Sequence, residues 1–101
     1  MKREDEVKRM VRSCFREFKR ELEARKVVLF GSRADGTARD RSDFDIGIVG
    51  STPLPQRVFF KIEDRLDRLN TLYKLDWIDL NRADPSFRNE ALKYTEVLYA
   101  G

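Results

Sequence analysis

Apolar side chains recur along the first part of the chain at Val7, Met10, Val11, Cys14, Phe18 and Leu22, close to the spacing of one helical face. That stripe predicts an amphipathic helix from about Glu4 to Ala24, with its charged residues on a solvated face. Cys14 lies on the stripe and reads as a core residue, not a nucleophile. The pattern then changes. Val27-Val28-Leu29-Phe30 is apolar on both faces of an extended chain, which places this strand centrally in a sheet. Gly31 to Asp40 reads as a turn with one short helical turn, and Phe44 to Val49 as a second strand, ended by Gly50-Ser51-Thr52-Pro53.

A second helical stripe, Val58, Phe59, Ile62, Leu66, Leu69 and Leu72, predicts a helix from near Pro55 to about Leu72. Leu75 to Leu80 reads as a third strand and Asn81 to Pro85 as a loop. A short helix follows from Ser86 to about Lys93, with Ser86 as its cap. Val97, Leu98 and Tyr99 form an apolar tail that must pack somewhere. Alternating helices and strands over 101 residues, without repeats or a low-complexity linker, point to one α/β (α+β) domain spanning residues 1–101.

Composition narrows the chemistry. Hydrophobic residues make up 41% and charged residues 39%, and the net charge is +3. That balance is too mild for a dedicated nucleic-acid binder. No apolar run approaches the length of a bilayer span, and MKREDEVKRM lacks the apolar stretch of a secretory signal, so a cytoplasmic location is expected. One cysteine allows no internal disulfide. Without histidine, serine–histidine triads and the usual zinc sites are excluded. A metal here would be a hard ion held by carboxylates, magnesium or manganese.

Three aspartates stand out. On a strand, residues two apart share a face, so Asp43 and Asp45 point one way while Phe44, Ile46 and Ile48 enter the core. Two nearby ionised carboxylates repel each other, and a divalent cation between them removes that repulsion. Asp76 sits in the apolar third strand, where an unpaired charge is expensive, and can join them if the strands are neighbours. Asp79, three residues on, should face the other way as a surface or capping residue. Gly31-Ser32, where the first strand ends, offers close backbone approach and a hydroxyl for phosphate oxygens. Gly36 lets the loop turn back, and Arg33, Arg39 and Arg41 carry charge suited to phosphate or to solvent. Neither a P-loop nor an EF-hand fits. Thr37 and Ala38 occupy the positions of the P-loop lysine and hydroxyl, and Leu54 replaces the calcium-binding glutamate counted from Asp43.

Gly31-Ser32, Gly36, Ser42-Asp43-Phe44-Asp45-Ile46 and Asp76 together resemble the signature of the DNA polymerase beta-like nucleotidyltransferases. Within them the chain is most similar to the minimal nucleotidyltransferases, or MNT domains, and the likeness extends into IDLNRADPSFRNEALKYTEVLY. The resemblance implies a nucleotidyltransferase fold, a small mixed β-sheet with helices packed against it. It implies transfer of a nucleoside monophosphate, AMP from ATP, to a hydroxyl with release of pyrophosphate. Asp43, Asp45 and Asp76 would be catalytic and would hold two Mg2+ ions, or Mn2+. Gly31, Ser32 and Arg33 would bind the nucleotide phosphates. MNT proteins are commonly antitoxins paired with a HEPN ribonuclease toxin, which they neutralise by attaching AMP to a tyrosine hydroxyl. A HEPN-family protein is therefore the expected partner. The alternatives are a non-catalytic antitoxin acting by surface contact, and transfer to a small-molecule or RNA acceptor; the +3 charge and the absence of a second substrate-binding domain disfavour the latter. Apolar surface on the last helix or the Val97–Tyr99 tail would serve a partner or a homo-oligomer.

Overall fold

In the computed structural model, which describes residues 3–101, the first apolar stripe forms α1 (Arg3–Arg16) and buries Val7, Val11, Cys14 and Phe15. The helix is shorter than its periodicity suggests. Residues 17–24 continue as successive turns that still bury Phe18 and Leu22. The chain reverses where Ala24 takes a left-handed φ of 62° and the Arg25 N–H donates to the Leu22 carbonyl. Cys14 is core, as its place on the stripe implies, and burial pushes its thiol pKa up to about 11.

Next come β1 (Lys26–Phe30), α2 (Ser32–Asp35), β2 (Phe44–Val49), α3 (Gln56–Asp67), β3 (Leu75–Asp79), α4 (Pro85–Ala91) and β4 (Glu96–Ala100). Two expectations are corrected at helix ends. Leu72 lies beyond α3 and is exposed, so the buried stripe there closes with Val58, Ile62 and Leu66, with Leu69 packed at its margin. The cap of α4 is Asp84, whose side chain accepts from the Ser86 N–H, with Pro85 at the first helical position. The apolar tail becomes a strand.

The four strands form one mixed sheet in the order β3-β2-β1-β4. β1 is antiparallel to both β2 and β4, whereas β2 and β3 run parallel, joined through α3. One face of the sheet, carrying Val27, Leu29, Phe44, Ile46, Ile48 and Trp77, packs under α1 and α3 in the main core. Trp77 is sandwiched there, stacked on Phe59 at 5.4 Å and tilted against Phe15 at 5.3 Å. Burying that many large apolar side chains supplies most of the folding free energy. The opposite face is thinly covered: Val28, Phe30, Leu80 and Ala91 form a small cluster beneath α4. Among the described residues, no helix is long and apolar enough to cross a membrane.

Candidate functional site

Strand alternation sends Phe44, Ile46 and Ile48 into the main core and Asp45 to the thinly covered face. β3 lies parallel beside β2 with Asp76 directly paired to Asp45, so the two carboxylates sit on neighbouring strands of the same face. Burial raises the Asp45 pKa above its usual value; the charges of Asp76 and then Asp43 raise it further, as does a hydrogen bond with Asp76. Lys74 works against this rise, and its Nζ lies 3.5 Å from an Asp76 carboxylate oxygen. A pair of acids held together against their own repulsion is a donor set suited to a hard cation.

Asp43 lies just ahead of the strand, whose start at Phe44 is the one expected. β2 begins at Phe44, whose N–H donates to the Lys74 carbonyl, and Asp43 is an exposed residue of the loop before it. Its charge reaches Asp45, but its side chain borders a depression of about 610 Å³ with Arg41, Tyr73 and Lys74. Among the described residues, no three acidic side chains are gathered as a ready metal cluster. Asp45 and Asp76 are brought together; Asp43 stands one step outside them.

Gly31 is bound to Asp45 by geometry. Its backbone, at φ 71° and ψ −153°, occupies a region open essentially to glycine alone, and a Cβ there would run into the Asp45 carboxylate. The turn thus lays its backbone against the acid pair. The Gly31 carbonyl accepts from the Ala34 and Asp35 N–H groups, starting α2 with Ser32 in its first position. Gly36 then ends α2 in the left-handed conformation at φ 87°.

Arg33 has a different role from the phosphate contact expected of it. Its side chain is 5% exposed. Nε and one terminal nitrogen donate to the Ser42 carbonyl at 3.1 and 2.8 Å. That same terminal nitrogen reaches the Arg39 and Asp40 carbonyls, and the other donates to Glu4 at 3.0 Å. The guanidinium also lies 4.2 Å over the Phe44 ring and 5.1 Å from that of Tyr73. With its donors engaged in this way, Arg33 ties the Gly31–Ser32 turn to the loop leading into Asp43. Glu4, on α1, completes the brace, its pKa lowered chiefly by its hydrogen bond with Lys8 and also by Arg33. Nothing in the residue types announces this role; an arginine beside a glycine turn suits phosphate equally well.

Asp79 faces away from the acid pair, as strand alternation requires, but it is buried, not a surface residue. It accepts from the Leu54 N–H at 2.8 Å and the Asn81 N–H at 3.0 Å, with Arg82 3.6 Å away. It therefore pins the segment entering α3 to the end of β3. Beside Gly31 and Asp45, a cleft of about 470 Å³ opens beneath α4, walled by Phe30, Ile78, Phe87 and Tyr94. Pattern reading did not find this cleft, because it joins β1, β3 and α4 through contacts remote in sequence.

Residues 13–101 match the family described as polymerase beta, nucleotidyltransferase. A protein of Methanocaldococcus jannaschii that bears a protein adenylyltransferase name is 31% identical over 81 residues, spanning 80% of this chain and 93% of that protein. Two solved structures are similar in fold. A toxin–antitoxin pair with AMP-PNP contains a chain matching at a TM-score of 0.68 and 21% identity, over 93% of this chain and 73% of that one. A Shewanella oneidensis complex of tri-AMPylated HEPN toxin with MNT antitoxin matches at 0.60 and 15%, over the same shares. With its aspartate pair seated against a glycine turn on a mixed sheet, and with nearly its whole length matched, the chain belongs to the polymerase beta nucleotidyltransferase family.

Proposed function

We propose that the protein transfers AMP from ATP to a hydroxyl of a protein partner, and that it is the antitoxin of a HEPN ribonuclease toxin. The observation that carries this reading is the side-by-side placement of Asp45 and Asp76 against the Gly31 turn. The protein adenylyltransferase name of the archaeal relative supports a protein acceptor, and the fold's likeness to a chain complexed with an AMPylated HEPN toxin supports the partner.

Asp43, Asp45 and Asp76 would hold Mg2+, or Mn2+. Bound there, the metal supplies positive charge for the phosphate oxygens and lowers the pKa of the attacking hydroxyl. Gly31 and Ser32 receive the β- and γ-phosphates through backbone and hydroxyl. Asp76, on the edge strand, faces the acceptor and takes its proton. The acceptor oxygen bonds to the α-phosphorus, the bond from that phosphorus to the bridging oxygen breaks, and pyrophosphate departs with the electron pair. Correct placement of these groups provides much of the acceleration.

The test is mass spectrometry of a HEPN-type partner after incubation with this protein, ATP and Mg2+. The expected result is an AMP-sized mass increase on the partner, lost with Asp45→Asn. A partner that is inhibited yet unchanged in mass would establish the contact-only antitoxin instead.

A further inference from the structure

The cleft beside Asp45 is chemically unlike the rest of the site. Its floor and walls are Phe30, Ile78 and Ala91, and two aromatic rings stand at its mouth, Phe87 at 46% and Tyr94 at 65% exposure. Phe87 is fixed by an edge-on contact with Phe30 at 6.1 Å and an interplanar angle of 90°, leaving much of its ring open to solvent. Exposed aromatic rings beside an apolar slot are the usual platform for a planar heterocycle. The carboxylates of Asp35 and Glu90 lie at the same cleft. They repel a polyphosphate chain but accept hydrogen bonds from an amine. The cleft is also continuous with the phosphate turn, because Gly31 and Asp45 belong to both.

We infer that this cleft is the nucleobase subsite: Phe87 stacks on the base, Tyr94 closes its open side, and Glu90 accepts from an exocyclic amine. The inference rests on the nucleotidyl-transfer reading above and adds its base selectivity. A volume of about 470 Å³ falls within the range of small-ligand pockets. A base seated there is joined through its ribose to phosphates at Gly31 and Ser32, because Gly31 and Asp45 line the cleft. The carboxylate rim selects amino-bearing bases such as adenine over uracil.

Calorimetric titration of the full chain in Mg2+ with ATP, UTP and inorganic tripolyphosphate tests this. The wild-type protein should bind ATP more tightly than UTP or tripolyphosphate. Phe87→Ala should weaken ATP about 10-fold and leave tripolyphosphate unchanged, since one base–aromatic stack is lost. Phe87→Trp should retain ATP binding, Tyr94→Ala should weaken it less, and Glu90→Gln should narrow the preference for ATP over UTP. Tyr94 is so exposed that its truncation decides the matter even if Phe87→Ala folds poorly. Unchanged ATP affinity in the alanine variants overturns the subsite; if the KM for the protein acceptor rises instead, an acceptor ring occupies the cleft. A wild-type chain that binds ATP and tripolyphosphate equally also overturns it, and leaves the transfer reading intact. Failure to bind either ligand overturns the transfer reading itself.

Discussion

The two faces of the sheet treat buried charge in opposite ways. On the helix-covered face, Asp79 is enclosed but fully partnered, accepting from the Leu54 and Asn81 N–H groups beside Arg82. On the thinly covered face, Asp45 is set against a second carboxylate, and its ionisation is disfavoured by burial and by Asp76 and Asp43. Asp76 and Asp79 lie on the same strand, separated only by strand alternation. A satisfied carboxylate holds structure together; a frustrated one is a place where the fold gives up stability for chemistry.

The strongest way to break this contrast is Asp45→Asn. Transfer activity should fall by about 10³-fold, measured with labelled ATP and a partner. Stability in the absence of divalent metal should rise by about 1 kcal/mol at neutral pH, measured by denaturant unfolding, because the repulsion with Asp76 is relieved. A destabilised Asp45→Asn would place Asp45 with Asp79 as a structural acid.

Asp79→Ala should do the reverse. Removing an acceptor from the buried Leu54 and Asn81 N–H groups should cost about 2–3 kcal/mol in unfolding free energy. The residual folded protein should keep its kcat. A selective loss of kcat without loss of stability would bring Asp79 into the chemistry.

Arg33→Lys sharpens the comparison at the loop. Lysine keeps the charge but cannot donate to several carbonyls at once or stack on Phe44 as a planar group. Stability should drop by about 1–2 kcal/mol, and kcat should fall through misplacement of Asp43, with little change in the affinity for tripolyphosphate. A large loss of tripolyphosphate affinity would return Arg33 to the phosphates.

The smallest effect is in the pH dependence. Asp45 has a raised folded-state pKa, so the folded protein holds this proton more tightly than the unfolded chain. Its contribution therefore falls as pH rises from the ordinary carboxylate value of 3.8 through the raised folded value, and then levels off. Glu4 and Asp35, with lowered values, have the opposite sign: the stability they give is present at higher pH and is lost as pH falls through their folded values. The difference between wild type and Asp45→Asn isolates the Asp45 effect. Mg2+ should raise the melting temperature of the wild type and not that of the variant.

Much of this frame was legible in the residues, because short-range periodicity determines it. Alternation along Phe44-Asp45-Ile46 assigns each side chain to a face, and it sets Asp76 and Asp79 on opposite faces of the third strand. The parallel neighbouring of those strands was a condition, and the sheet meets it. The Val97–Tyr99 tail could not be recognised as a strand, since three apolar residues carry no record of a partner as remote as β1. The start of the second strand at Phe44 was legible too; the exposure of Asp43 just ahead of it was not, because that depends on how the preceding loop packs. Arg33 was misread for a further reason: whether a guanidinium is free depends on Glu4, Ser42 and Tyr73 together, which only tertiary structure assembles.

The parallel pairing of β2 with β3 has a consequence for biosynthesis. β1 and β2 are sequential and antiparallel, but Asp45 acquires its neighbour only after the whole of α3 has been made and has carried the chain back across the sheet. A nascent chain that ends before residue 76 carries the glycine turn and the first two acids in its sequence, yet has no second carboxylate to set beside Asp45. The pairing of the two carboxylates thus forms only when the crossover closes, and a one-residue slip in that closure would turn Asp76 to the other face of the sheet.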